Sequence, residues 1–136
     1  GLSNEEGIIQ TSYNDENVGG ASVTSRSTHK NKVEFHLKRL DDQLSAEQRS
    51  SVSLVKLDVE GHEYEVIKSL NLQKYSPEII LVEFINEDAR STNFIDQNLS
   101  TVVESKIYKH LIKHDYHFIN WLRNDLIFAH NSVRNK

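Results

Sequence analysis

Cysteine and methionine are absent from this chain of 136 residues, and proline occurs only once. The lack of cysteine excludes disulfide bridges, thiolate metal ligands and a cysteine nucleophile. It also fits a reducing compartment, so we expect a cytoplasmic protein. Because there is no methionine, we expect that the chain, which starts at Gly1, was processed or is a piece of a longer protein.

A basic surface and a long apolar run are also lacking. The net charge is −4 at pH 7, so we expect no nucleic-acid partner. No segment approaches the ~18 apolar residues of a membrane span, and the N-terminal residues do not resemble a signal peptide. The hydrophobic content of 37% and the charged content of 26% are typical of a globular protein. The length allows one domain at most.

The first third of the chain contains weak strand signals. Residues 1–31 form a polar region, in which 7–13 is predicted to be a strand and 21–27 its weak antiparallel partner. Residues 33–37 alternate between apolar and polar, which indicates a half-buried strand. The spacing of Ser45 and Gln48 is that of a capping box, which predicts a short helix.

The centre of the chain has the pattern of a βαβ unit. An apolar strand is predicted over 53–59, a helix after Gly61 and a second apolar strand over 78–84. The three elements span about 30 residues, the usual size of such a unit.

The last third is predicted to contain a helix and a hairpin. A capping box at Thr101 starts a helix that reaches about 115 and presents one apolar face, made of Val103, Ile107, Tyr108, Leu111 and Ile112. Strands follow at 117–122 and 125–129, and the short connection predicts a tight antiparallel hairpin. The tail 131–136 is expected to fray. The order of elements predicts an α/β fold with a mixed sheet, parallel in the middle and antiparallel at the C-terminal hairpin.

Two carboxylates stand where the central strand ends. In open α/β sheets, ligands bind outside the carboxyl ends of the strands, and Asp58 and Glu60 occupy that position before Gly61. With a period of two, Lys56, Asp58 and Glu60 point to the same side. A lysine in a buried strand needs a carboxylate partner. Two interpretations therefore remain, an internal ion pair beside a loop or the rim of an active site.

Histidines four residues apart raise the question of a metal. His110 and His114 have helical spacing, and two such histidines bind zinc when a third ligand converges. No glutamate follows His110 as in a metalloprotease helix. A solvated helix face is the favoured interpretation, and we predict no metal site.

The residues around Asp58 resemble a known signature. The segment 54–67, LVKLDVEGHEYEVI, is similar to the strand, Leu-Lys-Ile-Asp-Val-Glu-Gly and helix block of the FkbM-type methyltransferases. Shorter stretches at 1–7, 20–22, 40–42, 81–83 and 124–128 agree in order, so the resemblance covers nearly the whole chain. It implies a Rossmann-like methyltransferase fold, S-adenosylmethionine as cofactor, and methylation of a hydroxyl on a sugar or natural product. The acceptor would be a small molecule or glycan.

The resemblance also implies site residues near the end of the central strand. Asp58 and Glu60 would lie beside the cofactor and the acceptor; otherwise they pair with Lys56 or cap the helix. His62 would be a base, although the family commonly has alanine there; the alternative is a solvent-facing histidine.

Further site residues are implied on either side of that strand. Glu83, at the end of the neighbouring strand, would face the same crevice or be a structural partner of Lys56. Leu2 and Ser3 would border the adenine or simply end a strand. Asp58, Leu2 and Ser3 are thus the implied cofactor contacts, and Asp58, Glu60, His62 and Glu83 the implied catalytic residues.

A glycine-rich cofactor turn is missing from the sequence. None of the five glycines forms a Gly-x-Gly turn after a strand, and such a turn lets a cofactor approach the backbone. We therefore expect residues 1–136 to be the C-terminal portion of a larger methyltransferase domain, inactive alone. Strand 54–59 would then be an open sheet edge, which favours self-association; alternatively, a hairpin at 7–27 covers it. A second hypothesis is a non-catalytic α/β binding module.

Overall fold

The computed structural model describes residues 1–13, 31–49, 51–84 and 98–133. The chain forms two compact units, a first unit made of Gly1–Ser51 and Asp58–Asn71, and a second made of Val52–Leu57 and Leu72–Lys136. The elements in chain order are β1 (Gly7–Tyr13), β2 (Asn31–Leu37), α1 (Leu40–Gln43), α2 (Ala46–Arg49), β3 (Leu54–Leu57), α3 (Glu63–Lys68), α4 (Leu72–Tyr75), β4 (Ile79–Glu83), α5 (Leu99–Glu104), α6 (Lys106–Lys113), β5 (Tyr116–Leu122), β6 (Asp125–His130) and a 3-10 turn (Asn131–Val133).

The first unit contains an antiparallel strand pair. β1 and β2 pair over their whole length, from Gly7 opposite Leu37 to Tyr13 opposite Asn31. The strand predicted at 33–37 is therefore confirmed, and it is the partner of β1. The weaker partner predicted at 21–27 lies outside the described residues. Side chains along β2 alternate between half-buried and exposed, as the sequence pattern predicts.

Short helices complete the first unit. The capping box before α2 is confirmed, because the Ser45 amide donates to Gln48 Oε1 at 2.9 Å and the Gln48 amide donates to Ser45 Oγ at 3.2 Å. The helix predicted after Gly61 is α3, which buries Val66 and Ile67. Ser69 follows α3 fully buried, and its hydroxyl donates to the Val66 carbonyl and accepts from the Leu40 amide.

The second unit is built on a four-stranded mixed sheet. Its strand order is β3-β4-β6-β5, with β3 and β4 parallel and the other pairs antiparallel. The predicted fold class, a mixed α/β fold with an antiparallel C-terminal hairpin, is confirmed. The hairpin of β5 and β6 turns at Arg123, which has a φ of 56°. Within the described residues, β3 pairs with β4 alone and is an edge strand.

β3, which its apolar run predicts to be a buried strand, is exposed on one face. Leu57 is buried, but Leu54 is 58% exposed and Lys56 is exposed as well. Because one face of the strand is accessible to water, the ammonium group of Lys56 is not deprived of solvent.

The core of the second unit lies on one face of this sheet. Tyr108 of α6 packs on Phe118 and Phe128, with ring centroids 6.3 and 6.1 Å away. The buried Tyr116 hydroxyl donates to the Pro77 carbonyl at 2.8 Å, and burial raises the pKa of this phenol well above its usual range. The buried apolar side chains of the second unit are Leu57, Leu72, Ile80, Val82, Val102, Ile107, Leu111, Tyr116, Leu126 and Phe128.

The single helix predicted from Thr101 to about 115 is wrong, because two helices occupy that stretch. Ser105 separates α5 from α6 with an extended backbone, at φ −63° and ψ 152°. The N-cap of α5 is Asn98, whose side chain accepts from the Ser100 amide. As a result Val102 is buried, whereas Val103, which was predicted to lie on the apolar face of the helix, is 43% exposed.

In the described part of the chain, no helix has the length and apolar character needed to cross a membrane.

Candidate functional site

A strained turn follows β3. The strand ends at Leu57, and the backbone turns through Glu60 at φ 54° and Gly61 at φ 95°. Glycine tolerates this left-handed region, but for glutamate it is uncommon and costs energy. The strand conformation does not continue to Glu60, but the carboxylate oxygens of Asp58 and Glu60 still lie within 4.8 Å of each other.

Glu63 fixes this turn from inside. Its carboxylate oxygen Oε1 accepts hydrogen bonds from the Val59 and Gly61 amides, both at 3.0 Å. The residue is only 6% exposed, so these are charge-assisted hydrogen bonds away from bulk water. Glu63 thereby satisfies amides ahead of α3 and holds the left-handed conformation of the turn.

Asp58 and Glu60 lie on this turn, so a buried carboxylate supports the backbone that positions them. Asp58 is exposed and Glu60 is half-buried. Sequence reasoning singled out both residues but missed the structural role of Glu63. A signal was present, since an acidic residue in the first turn of a helix is favourably placed to accept from backbone amides.

His62 and Ser3 are hydrogen-bonded to each other. His62 Nε2 and Ser3 Oγ are 3.0 Å apart, although the residues are far apart in sequence. Ser3 is 5% exposed, and its amide donates to the Lys38 carbonyl at 2.9 Å. Two residues that the sequence singled out separately are thus brought together in the first unit.

The segment containing Leu2 and Ser3 is anchored on both sides of the serine. Leu2 is half-buried and forms a parallel bridge with Lys38. Arg39 Nη1 donates to the Asn4 carbonyl at 2.6 Å. These contacts hold residues 1–4 against the residues that follow β2.

Glu83 belongs to the second unit. It is the last residue of β4, is half-buried, and lies opposite Asp125 of β6. The next residue, Phe84, donates its amide to the Asn124 carbonyl at 2.7 Å and packs edge-to-face on Trp121. Glu83 therefore stands at the carboxyl end of a parallel strand, as predicted.

The histidine pair on α6 is ordered by the helix itself. The rings of His110 and His114 have centroids 4.4 Å apart, and His114 Nδ1 donates to the His110 carbonyl at 2.8 Å. Across the described ranges, no third histidine, cysteine or carboxylate joins this pair at ligand distance.

A parallel strand that ends in carboxylates before a glycine turn and a helix is typical of ligand-binding α/β proteins. The family model described as Methyltransferase FkbM domain matches residues 1–117. The chain therefore belongs to the FkbM methyltransferase family, and the resemblance found in the sequence is confirmed. Neither a curated protein nor a solved structure matches the chain.

Proposed function

We propose that this chain is part of a cytoplasmic, S-adenosylmethionine-dependent methyltransferase that methylates a hydroxyl group of a sugar or natural product. The observation that supports this most is the turn after β3. It places Asp58 and Glu60 on a backbone held by the buried Glu63 carboxylate, in a chain of the FkbM family. Rigid support of this kind is what a positioned catalytic group requires.

The negative charge of the turn is complementary to the positive charge of the cofactor. S-adenosylmethionine supplies a methyl group on a positively charged sulfonium. The carboxylates of Asp58 and Glu60 are acidic groups on one short turn, and negative charge stabilises a nearby cation. No Gly-x-Gly turn occurs in the sequence, so the proposal assigns the glycine-rich part of the cofactor site to residues outside this chain.

The proposed roles follow from the position of each group. Asp58 contacts the cofactor, and Asp58 or Glu60 accepts the proton that the acceptor hydroxyl loses as its oxygen takes the methyl group. Glu83, at the end of β4, is a further acceptor-side carboxylate. Leu2 and Ser3 form part of the adenine wall.

The test is methyl transfer by the full-length protein. Radiolabelled S-adenosylmethionine is offered with a panel of sugars and hydroxylated natural products, and transfer is compared for the wild type and for Asp58→Asn combined with Glu60→Gln. We expect kcat/KM to fall by about 100-fold or more, the usual range for loss of a positioned base. The matched control is Glu65→Gln, which changes a carboxylate of α3 that pairs with Lys68; its activity should stay near that of the wild type.

The missing glycine-rich turn favours one alternative, a non-catalytic α/β module that binds a partner. Isothermal titration of the full-length protein with S-adenosylhomocysteine distinguishes the two. Binding together with carboxylate-dependent transfer supports the enzyme. Absence of binding, or transfer that is unchanged in the double variant, contradicts the catalytic assignment of Asp58 and Glu60.

A further inference from the structure

His62 lies at the N-cap of α3, where histidine is not one of the preferred residues. Its side chain makes no capping hydrogen bond. Serine, threonine, aspartate and asparagine are the residues that helix N-caps prefer. The amides of Val59 and Gly61 in this turn donate instead to the Glu63 carboxylate. Capping therefore does not account for the histidine.

The contact that His62 does make is with a buried hydroxyl. Ser3 Oγ also lies 3.3 Å from Asn4 Oδ1, which is an acceptor for the hydroxyl proton. A hydroxyl has a single proton, so when that proton goes to Asn4, His62 Nε2 donates to Ser3 Oγ. In the opposite arrangement the hydroxyl donates to Nε2. In both arrangements Nε2 is committed to Ser3 at 3.0 Å.

This hydrogen bond joins two segments that the proposed function uses. His62 directly follows the turn with Asp58 and Glu60, and Ser3 lies in the segment proposed for the adenine wall. Segment 1–4 is also tied to β2 and to the residues after it, through the Gly1–His36, Ser3–Lys38 and Arg39–Asn4 hydrogen bonds. Among the hydrogen bonds of Ser3, the one to His62 links this segment to the turn after β3.

We infer that His62 is a positioning residue, which acts through Ser3 and fixes the adenine-side segment 1–4 relative to the carboxylate turn. This inference rests on the proposed function, because it assigns a use to the two segments. It differs from a base at position 62, since the nitrogen nearest to Ser3 is engaged within the protein.

The experiment uses the full-length protein with four variants, His62→Ala, His62→Gln, Ser3→Ala and the double alanine variant. Affinity for S-adenosylmethionine is measured by isothermal titration, and kcat and KM are measured separately. We expect His62→Ala to weaken cofactor binding about fivefold, the scale of one hydrogen bond, with a much smaller change in kcat. His62→Gln, which keeps an N–H donor, should recover part of the affinity.

Two further measurements do not depend on activity. The unfolding free energies of the two single variants and the double variant should be non-additive, since both substitutions remove the same contact. Amide hydrogen exchange at Ser3 should accelerate in His62→Ala. The control is His36→Ala, which changes an exposed histidine of β2. It should leave both the unfolding free energy and the amide exchange rate at Ser3 close to those of the wild type.

The outcomes separate this inference from the proposed function. If the wild type binds no S-adenosylmethionine, the proposed function is wrong and the positioning role falls with it. If the wild type binds and transfers methyl groups but His62→Ala has unchanged cofactor affinity, only the positioning role is overturned. If His62→Ala instead loses about two orders of magnitude in turnover, with unchanged affinity and a lost acidic limb of the pH profile, His62 is identified as a base.

Discussion

At the scale of single residues, Glu63 shows how one buried carboxylate determines the shape of a candidate site. Its Oε1 atom accepts hydrogen bonds from two backbone amides, those of Val59 and Gly61. Strained backbone persists only where its surroundings hold it. Without the Glu63 carboxylate, the hydrogen bonds that hold the left-handed conformation at Glu60 are therefore lost. Asp58 and Glu60 would then no longer share a fixed backbone.

We predict different outcomes for two substitutions of Glu63. Glu63→Gln keeps an acceptor oxygen and replaces charge-assisted bonds by neutral ones, so it should cost about 1 kcal/mol of unfolding free energy. Glu63→Ala leaves the two amides without their acceptor and should cost about 3 kcal/mol. Urea denaturation measures both values, with Glu65→Gln on the same helix as the control. Equal stability of the alanine variant and the wild type would show that the Glu63 carboxylate does not stabilise the turn.

At the scale of elements, the sequence was most informative where the signals were local. The capping box at Ser45 and the hairpin around Arg123 depend on residues close in the chain, and both were predicted. The partner of β1 was harder to predict, because strand pairing depends on contacts distant in sequence.

The helix break at Ser105 was missed for a different reason. Apolar residues at 103, 107 and 111 have continuous helical spacing, which concealed the interruption. Serine is a common N-cap as well as a tolerated helix residue, so its presence did not distinguish the two states. The contact between His62 and Ser3 could not be predicted either, because the two residues are far apart in the sequence and no local pattern indicates a contact between them.

The break at Ser105 predicts a measurable contribution from one hydroxyl. Ser105 Oγ accepts from the Tyr108 amide at 3.1 Å and caps α6. Ser105→Ala should therefore lower the unfolding free energy by about 1 kcal/mol, whereas Ser105→Asp should retain it, since aspartate caps equally well and suits a helix N-terminus. Chemical denaturation tests this, with the exposed Ser100→Ala on α5 as control. An alanine variant as stable as the wild type would mean that the cap contributes nothing.

At the scale of the whole molecule, the position of β3 at the edge of the described mixed sheet has consequences for solution behaviour. In the described sheet β3 pairs on one side only, and Leu54 on this strand is 58% exposed. Edge strands with exposed apolar side chains are templates for pairing with another chain, and charged residues are the usual protection. We propose that copies of this chain associate through β3.

A single charge on that strand should reveal the association. We expect the mass of the wild type in analytical ultracentrifugation to rise with concentration, and Leu54→Lys to weaken the association about tenfold, which is about 1.4 kcal/mol, because a lysine on an edge strand opposes pairing. Ile8→Lys is the matched control, since Ile8 is 60% exposed on β1 of the first unit. A wild type that stays monomeric at all concentrations contradicts the proposal, and equal weakening by both variants would place the contact elsewhere than β3.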